Sequence, residues 1–225
     1  MANKRRRSGG AIKAPDLPQQ KLEKAPPGNW IEDGMNCTQS ILMRNDLSGR
    51  SVRHLSFDQI LFEQVELSRT HVEYVRVLDS RFQACNFANA KWMRVDFARV
   101  ELLGCNLTGF HANEARFQDT FFKECIGHYV QCALAKFEAV RFENCDLSDA
   151  NFFEADLSGV LFVNCDLSNA DFSGAKLVGA DLRGSKIDGI RVSSRELQGA
   201  TIDPTQALAL VRGMGISVKA PEENP

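Results

Sequence analysis

From Cys145 to Gly184 the chain keeps a five-residue beat: C-D-L-S-D, A-N-F-F-E, A-D-L-S-G, V-L-F-V-N, C-D-L-S-N, A-D-F-S-G, A-K-L-V-G, A-D-L-R-G. Each unit opens on a small residue, often has Asp or Asn second, and carries Leu or Phe third. A period of five matches neither the 3.6 of a helix nor the 2 of an ordinary strand. A fixed short repeat points instead to a solenoid, whose units are too small to bury an apolar face alone and must stack on their neighbours.

Carried in both directions, the third-position residues run from Leu47 to Ile202, which is 32 pentads without an insertion. Of the 15 phenylalanines, 12 fall on that position, so the phase is not a chance alignment. Ala112, Gly127 and Cys132 are its weak members. The stretch resembles the pentapeptide-repeat family, with its consensus A-[D/N]-L-x-x. That resemblance implies an all-β solenoid: a right-handed quadrilateral parallel β-helix with one pentad per side, four per coil and about eight coils. The first and third residues of each pentad would point inward and the other three outward. At ~4.8 Å between stacked strands, such a column is roughly 38 Å long.

Seven cysteines suggest a disulfide or metal framework until they are placed on the repeat. Cys85, Cys105, Cys125, Cys145 and Cys165 are spaced by 20, one full coil, and all open pentads on the same side. No CxxC and no histidine pair at ligand spacing accompanies them. Adjacent rungs lie at a distance compatible with a disulfide. The odd count and an expected reducing compartment favour free thiols, small apolar fillers of an inward ladder. No metal or cofactor is expected. No nucleophile elbow, phosphate loop or paired carboxylate in a pocket is present, so the chain reads as a non-enzyme.

The chain divides into four parts. Residues 1–34 hold the cations Lys4, Arg5, Arg6 and Arg7 and are rich in Pro and Gln, which predicts a disordered tail. Trp30 and Ile31 are expected to fold back over the first coil. Residues 35–202 form the column. In 203–218, Asp203, Pro204 and Gln206 make a capping-box-like helix start, and Gly213 and Gly215 end that helix. Ile216 to Val218 is expected to be a short strand, and 219–225 a charged tail. The spacing of Asp203, Gln206, Ala207, Leu210, Gly215, Ile216 and Val218 is similar to the C-terminal segment of the quinolone-resistance pentapeptide proteins. In that group the segment makes a two-fold dimer, and the resulting rod imitates DNA and engages DNA gyrase. The resemblance implies a homodimer here, with Ala207, Leu208, Leu210, Val211, Met214 and Ile216 as candidate contacts. No run approaches the ~18 apolar residues of a membrane span, and the N-terminus lacks an apolar signal core, so a cytoplasmic location without membrane contact is expected.

Function must lie on the outward positions. The cysteine-ladder side is the most acidic, with Asp46, Glu66, Asp146, Asp149, Asp166 and Asp188 against Arg69 and Lys186. Overall acidity is mild, with 20 basic and 25 acidic residues from 35 to 225, whereas a phosphate mimic calls for dense negative charge. His71 and His111 share a side but stand two coils apart, roughly 10 Å, too far to hold one metal. Residues 126–134 are the poorest pentads, read either as a bulge or as an eroded repeat. Three functional readings stand open: a DNA-mimicking topoisomerase binder, a rigid scaffold for another protein, or a nucleic-acid-associated protein acting through its basic tail.

Overall fold

Nearly every strand pairing joins residues twenty apart. The computed structural model describes residues 11–18, 22–25, 31–213 and 215–219. Strands β2 (Asn36–Thr38), β3 (Ser40–Met43), β4 (Ser51–Asp58), β5 (Leu61–Glu63), β6 (His71–Gln83), β7 (Lys91–Leu103), β8 (Arg116–Lys123), β9 (Lys136–Glu143) and β10 (Leu161–Val163) pair only in parallel. Single bridges carry the same register onward from Asp156↔Lys176 to Asp181↔Thr201. The chain is therefore a parallel β-solenoid, and its first rungs, Cys37 under Phe57 and Leu42 under Phe62, precede the Leu47 start of the sequence phase.

The pentad consensus follows from the geometry of each side. Its second residue closes the turn: Asp46, Asn86, Asn106, Asp146, Asp166 and Asp171 each accept the amide N–H two residues on. Short side chains with a terminal oxygen suit that bond. The fifth residue lies at the corner in the left-handed region, with φ of 52° at Asn144 and Asn164. Asn and Gly tolerate that conformation best.

The interior follows from the first and third positions. All 12 third-position phenylalanines are buried, and rings twenty apart lie face to face: Phe62–Phe82 at 4.2 Å, Phe122–Phe142 at 4.6 Å and Phe117–Phe137 at 4.9 Å. Burial of rings this size contributes roughly 1.5–3 kcal/mol each, with more from the stacked contact. Phe110 turns inward from a first position beside the buried third-position Ala112, keeping the volume of the pair. The poor pentads from 126 to 134 hold register without a bulge, since Ile126 bridges Asp146 and Gln131 bridges Asn151.

The two ends differ from the sequence expectation. Residues 11–18 and 22–25 lie against the column instead of forming a free tail. β1 (Glu23–Lys24) pairs with β3, and Lys13 and Asp16 bond to corner carboxylates. Ile31 is buried in the core; Trp30 and Lys4 to Arg7 lie outside the described residues. At the far end the five-residue beat runs on through a gap in the ladder, which resumes at Asp181↔Thr201. Residues 194–199 form turns, and the Glu196 carboxylate accepts the Gly174 N–H that a backbone carbonyl would otherwise take.

Helix α1 (Pro204–Gly213) then closes the column. Its capping box is reciprocal: the Gln206 N–H donates to Asp203 Oδ1, and the Asp203 N–H to Gln206 Oε1. The buried Gln206 also donates to the Leu182 and Ser185 carbonyls, both at 2.6 Å, tying helix to coil. Gly215, at φ 80°, donates to Arg212 O and Ile216 to Val211 O, the two bonds that end a helix on a left-handed residue. The expected strand at Ile216–Val218 does not form. The segment is exposed and takes no strand conformation.

Candidate functional site

Stacking a coil every ~4.8 Å forces outward side chains into rows, where like charges would face one another. Opposite charges twenty apart relieve this. Arg81 pairs with Glu101, Arg99 with Asp79, Lys176 with Asp156, Lys186 with Asp166 and Arg191 with Asp171. Much of the surface charge is thus matched within the column.

The six carboxylates of the acidic side do not form one field. Asp46 and Glu66 bridge at the N-terminal end, whereas Asp146, Asp149, Asp166 and Asp188 gather in the C-terminal half. Four coils separate Glu66 from Asp146, roughly 19 Å, and Asn86, Asn106 and Ile126 occupy the row between them. In the C-terminal group Asp146 bridges Asp166 directly. Asp146 Oδ1 and Asp166 Oδ1 each accept the N–H and the hydroxyl of the serine two residues on. The Lys186 ammonium lies 2.9 Å from Asp166 Oδ2, and His128 lies 3.8 Å from Asp149. Partial burial pushes the Asp166 carboxyl up, but the Ser168 hydroxyl, Lys186 and the Ser168 N–H hold it below the ordinary range. At Asp46 the Ser48 N–H has the same lowering effect.

The five ladder cysteines are buried, as are Cys37 and Cys132, and all seven are free thiols. Cys85, Cys105, Cys125 and Cys145 donate to main-chain carbonyls of the coil before. Val65 and Ser185 continue the line beyond the cysteines, Ser185 donating its hydroxyl to Phe162 O. Burial pushes the Cys37 thiol up to about 11 and the Cys132 thiol to about 12, so neither ionises near neutrality. Among the described residues no group of three or more His, Cys, Asp or Glu is placed to hold a metal ion. No helix among them is long and apolar enough to cross a membrane.

Of the candidate contacts at the C-terminus, Leu208 and Ile216 are exposed, Ala207, Leu210 and Val211 are half-buried, and Met214 lies outside the described residues. Two features escaped the sequence reading. The first is a group of exposed apolar side chains, Ile126, Tyr129, Leu134 and Phe153, three of them from the poor coil, with Leu134 bonded through its amide to Phe153 O. Its signal was visible: the consensus failed outward as well as inward in 126–134. The second is a groove of about 370 Å³ between residues 11–14 and the row Glu101, Phe121, Arg141 and Leu161.

The pentapeptide repeat region family matches residues 95–172 and 135–208, together just over half of the chain. A comparison with curated proteins gave no match. Among solved structures, HetL, a pentapeptide repeat protein involved in heterocyst differentiation regulation from the cyanobacterium Nostoc sp. strain PCC 7120, is 19% identical. That match covers 77% of this chain and 91% of HetL, with a TM-score of 0.43. Full-length QnrB1, a plasmid-mediated fluoroquinolone resistance protein, is 20% identical over 82% of this chain and 99% of its own, with a TM-score of 0.42. With its twenty-residue register, its inward Phe and Cys rows and this match, the chain belongs to the pentapeptide-repeat family.

Proposed function

We propose that this chain is a non-catalytic, cytoplasmic protein-binding column whose partner is a type II topoisomerase of the DNA gyrase class. The cysteine-ladder side would enter the enzyme's cationic DNA-binding surface. The observation that carries this reading is the C-terminal carboxylate group. Asp146 and Asp166 stand one coil apart, each fixed by the serine two residues on, with Asp149 and Asp188 beside them. Carboxylates pinned in this way reach a cationic surface already ordered, which lowers the entropic cost of binding.

The test is a gyrase supercoiling assay at micromolar protein, with and without a quinolone. A change in supercoiling or in quinolone sensitivity is expected. Combined Asp146→Asn, Asp149→Asn, Asp166→Asn and Asp188→Asn substitutions should weaken it at least ~10-fold, because charged contacts across an interface set encounter rate and specificity. Asn keeps the turn bond, as Asn86 and Asn106 do, so the fold survives the change. No effect of the wild-type chain removes the topoisomerase.

The same reading includes a homodimer through residues 203–218. Leu208, Ile216 and Val218 are exposed apolar side chains on one short segment, suited to a second copy. Light scattering is expected to give a mass near 50 kDa, about twice the 25.0 kDa chain. A mass near 25.0 kDa contradicts the dimer. A second reading, a scaffold for a different protein, is favoured by Ile126, Tyr129, Leu134 and Phe153, which lie outward near one level of the column.

A further inference from the structure

The N-terminal arm lies on the column in a register that repeats every three residues. Ile12, Pro15 and Pro18 are half-buried, as is Leu17 between the last two, while Ala11, Lys13, Ala14 and Asp16 are exposed. The amide of Lys13 donates to Asp119 Oδ1 at 3.2 Å and that of Asp16 to Asp79 Oδ1 at 3.0 Å. Gln59 Nε2 closes the contact on Asp16 O at 2.8 Å. The arm therefore runs down the column, opposite to the direction in which the coils stack.

This spacing has a physical basis. Asp79 and Asp119 occupy the same corner two coils apart, ~9.6 Å at the strand spacing. A polyproline II segment advances ~3.1 Å per residue and ~9.3 Å per three-residue turn. Each turn of such a segment therefore brings one amide to one carboxylate and one side chain to the same face. The corner is suited to this. Asp79 and Asp119 take left-handed φ values of 44° and 49°, where Gly159 and Gly179 stand further along the row, and both are nearly buried. Arg99, on the rung between them, binds Asp79 through two bonds of 2.7 and 2.6 Å and fixes its carboxylate. Alongside, Phe121 and Leu161 give the groove an apolar floor bordered by Glu101, Arg141 and Glu143.

We propose that this corner is a recognition track for an extended, proline-containing segment of a partner protein, and that residues 11–18 occupy it in cis as an internal competitor. The track runs along the side that precedes the cysteine-ladder side and uses none of its carboxylates, so it does not depend on the topoisomerase reading. Binding in trans requires the arm to leave. Tethering gives the arm an effective concentration on the order of millimolar, so the chain is self-masked until a stronger or more abundant segment displaces it.

The full-length chain carrying Ile12→Asp and Pro15→Gly tests this, because both changes weaken the arm and leave the track intact. The probe is a labelled synthetic peptide of residues 11–18, followed by fluorescence anisotropy. Saturable binding to the variant is expected, at least ~10-fold tighter than to wild type, by the same effective-concentration argument. Adding Asp119→Ala, which removes the acceptor and leaves the Arg99–Asp79 pair whole, should weaken it severalfold; Ala139 on the same row already holds a left-handed φ of 53°. With the arm itself unaltered, slow amide exchange at Lys13 and Asp16 should become fast with Asp119→Ala. No saturable binding to the Ile12→Asp/Pro15→Gly chain, or binding indifferent to Asp119→Ala, overturns the proposal. So does a fall in oligomeric mass caused by the arm substitutions, which would make the track an exchange site between copies.

Discussion

Phe82→Ala is expected to lower the unfolding free energy by about 3–5 kcal/mol, the usual range for emptying a buried aromatic site. Phe82 has no exposed surface. It stacks on Phe62 at 4.2 Å and meets Phe87 at 5.2 Å and Phe97 at 6.3 Å edge-on. A helical core relaxes by sliding a helix inward, but here the rungs above and below are locked by the ladder bonds of β6 with β5 and β7. The cavity therefore stays open, and the loss sits at the upper end of the range. Because each coil touches only its neighbours, the damage is local. Amide exchange should accelerate between residues 62 and 102 before it does so near 162. Urea unfolding measures the total against Phe153→Ala, an exposed ring expected to change stability by less than about 0.5 kcal/mol. A Phe82→Ala loss under about 1 kcal/mol would show that the rings are not close-packed across the coils.

The interior was legible because its rule is local and repeated. A residue's place in the pentad states its direction, and a spacing of twenty states its neighbour, so the Phe and Cys rows follow from counting. What lay outside the rule was not legible. The arm from 11 to 18 has no five-residue beat, and its partners Asp79 and Asp119 are distant in sequence. Nothing in the sequence sets Asp79 and Asp119 apart from the other carboxylates at left-handed corners, Glu114, Glu124, Asp149 and Glu154. The distribution of charge within the acidic side was not legible for a related reason. Summing charge by side ignores position along the axis, and so it merged two groups that the neutral residues Asn86, Asn106 and Ile126 keep apart. Nor does such a sum register that Asp46, Glu66, Asp146 and Asp166 each close a turn of their own pentad. The beat from Val192 to Leu197 misled in the opposite direction, because sequence periodicity persists where Glu196 already replaces the backbone ladder.

Restoring the consensus at its weakest point should destabilise the protein. Gly127→Leu places the family's preferred residue at a third position, yet a loss of about 1–3 kcal/mol is expected, the usual cost of overfilling a packed core. Gly127 is not in the left-handed region, so its conformation does not require glycine. Its neighbours do. A Cβ at 127 would lie 2.9 Å from Leu147 Cδ2 and 3.2 Å from the carbonyl oxygen of Asp146. The Gly127 N–H already donates to that oxygen at 2.6 Å. The next coil has closed over the missing side chain, and Leu147, fully enclosed, has leaned into its volume. Gly127→Ala brings only that Cβ against Leu147 Cδ2 and the Asp146 oxygen and should cost less; a full leucine must find room for three further carbons beside them. The double-mutant cycle with Leu147→Ala separates the causes. Leu147→Ala alone creates a cavity costing about 2–5 kcal/mol, whereas the pair should lose less than the sum of the two, since each change relieves the other. Strict additivity in that cycle, or a Gly127→Leu protein as stable as the wild type, would mean that the coil at 127 still holds the space its repeat would normally fill.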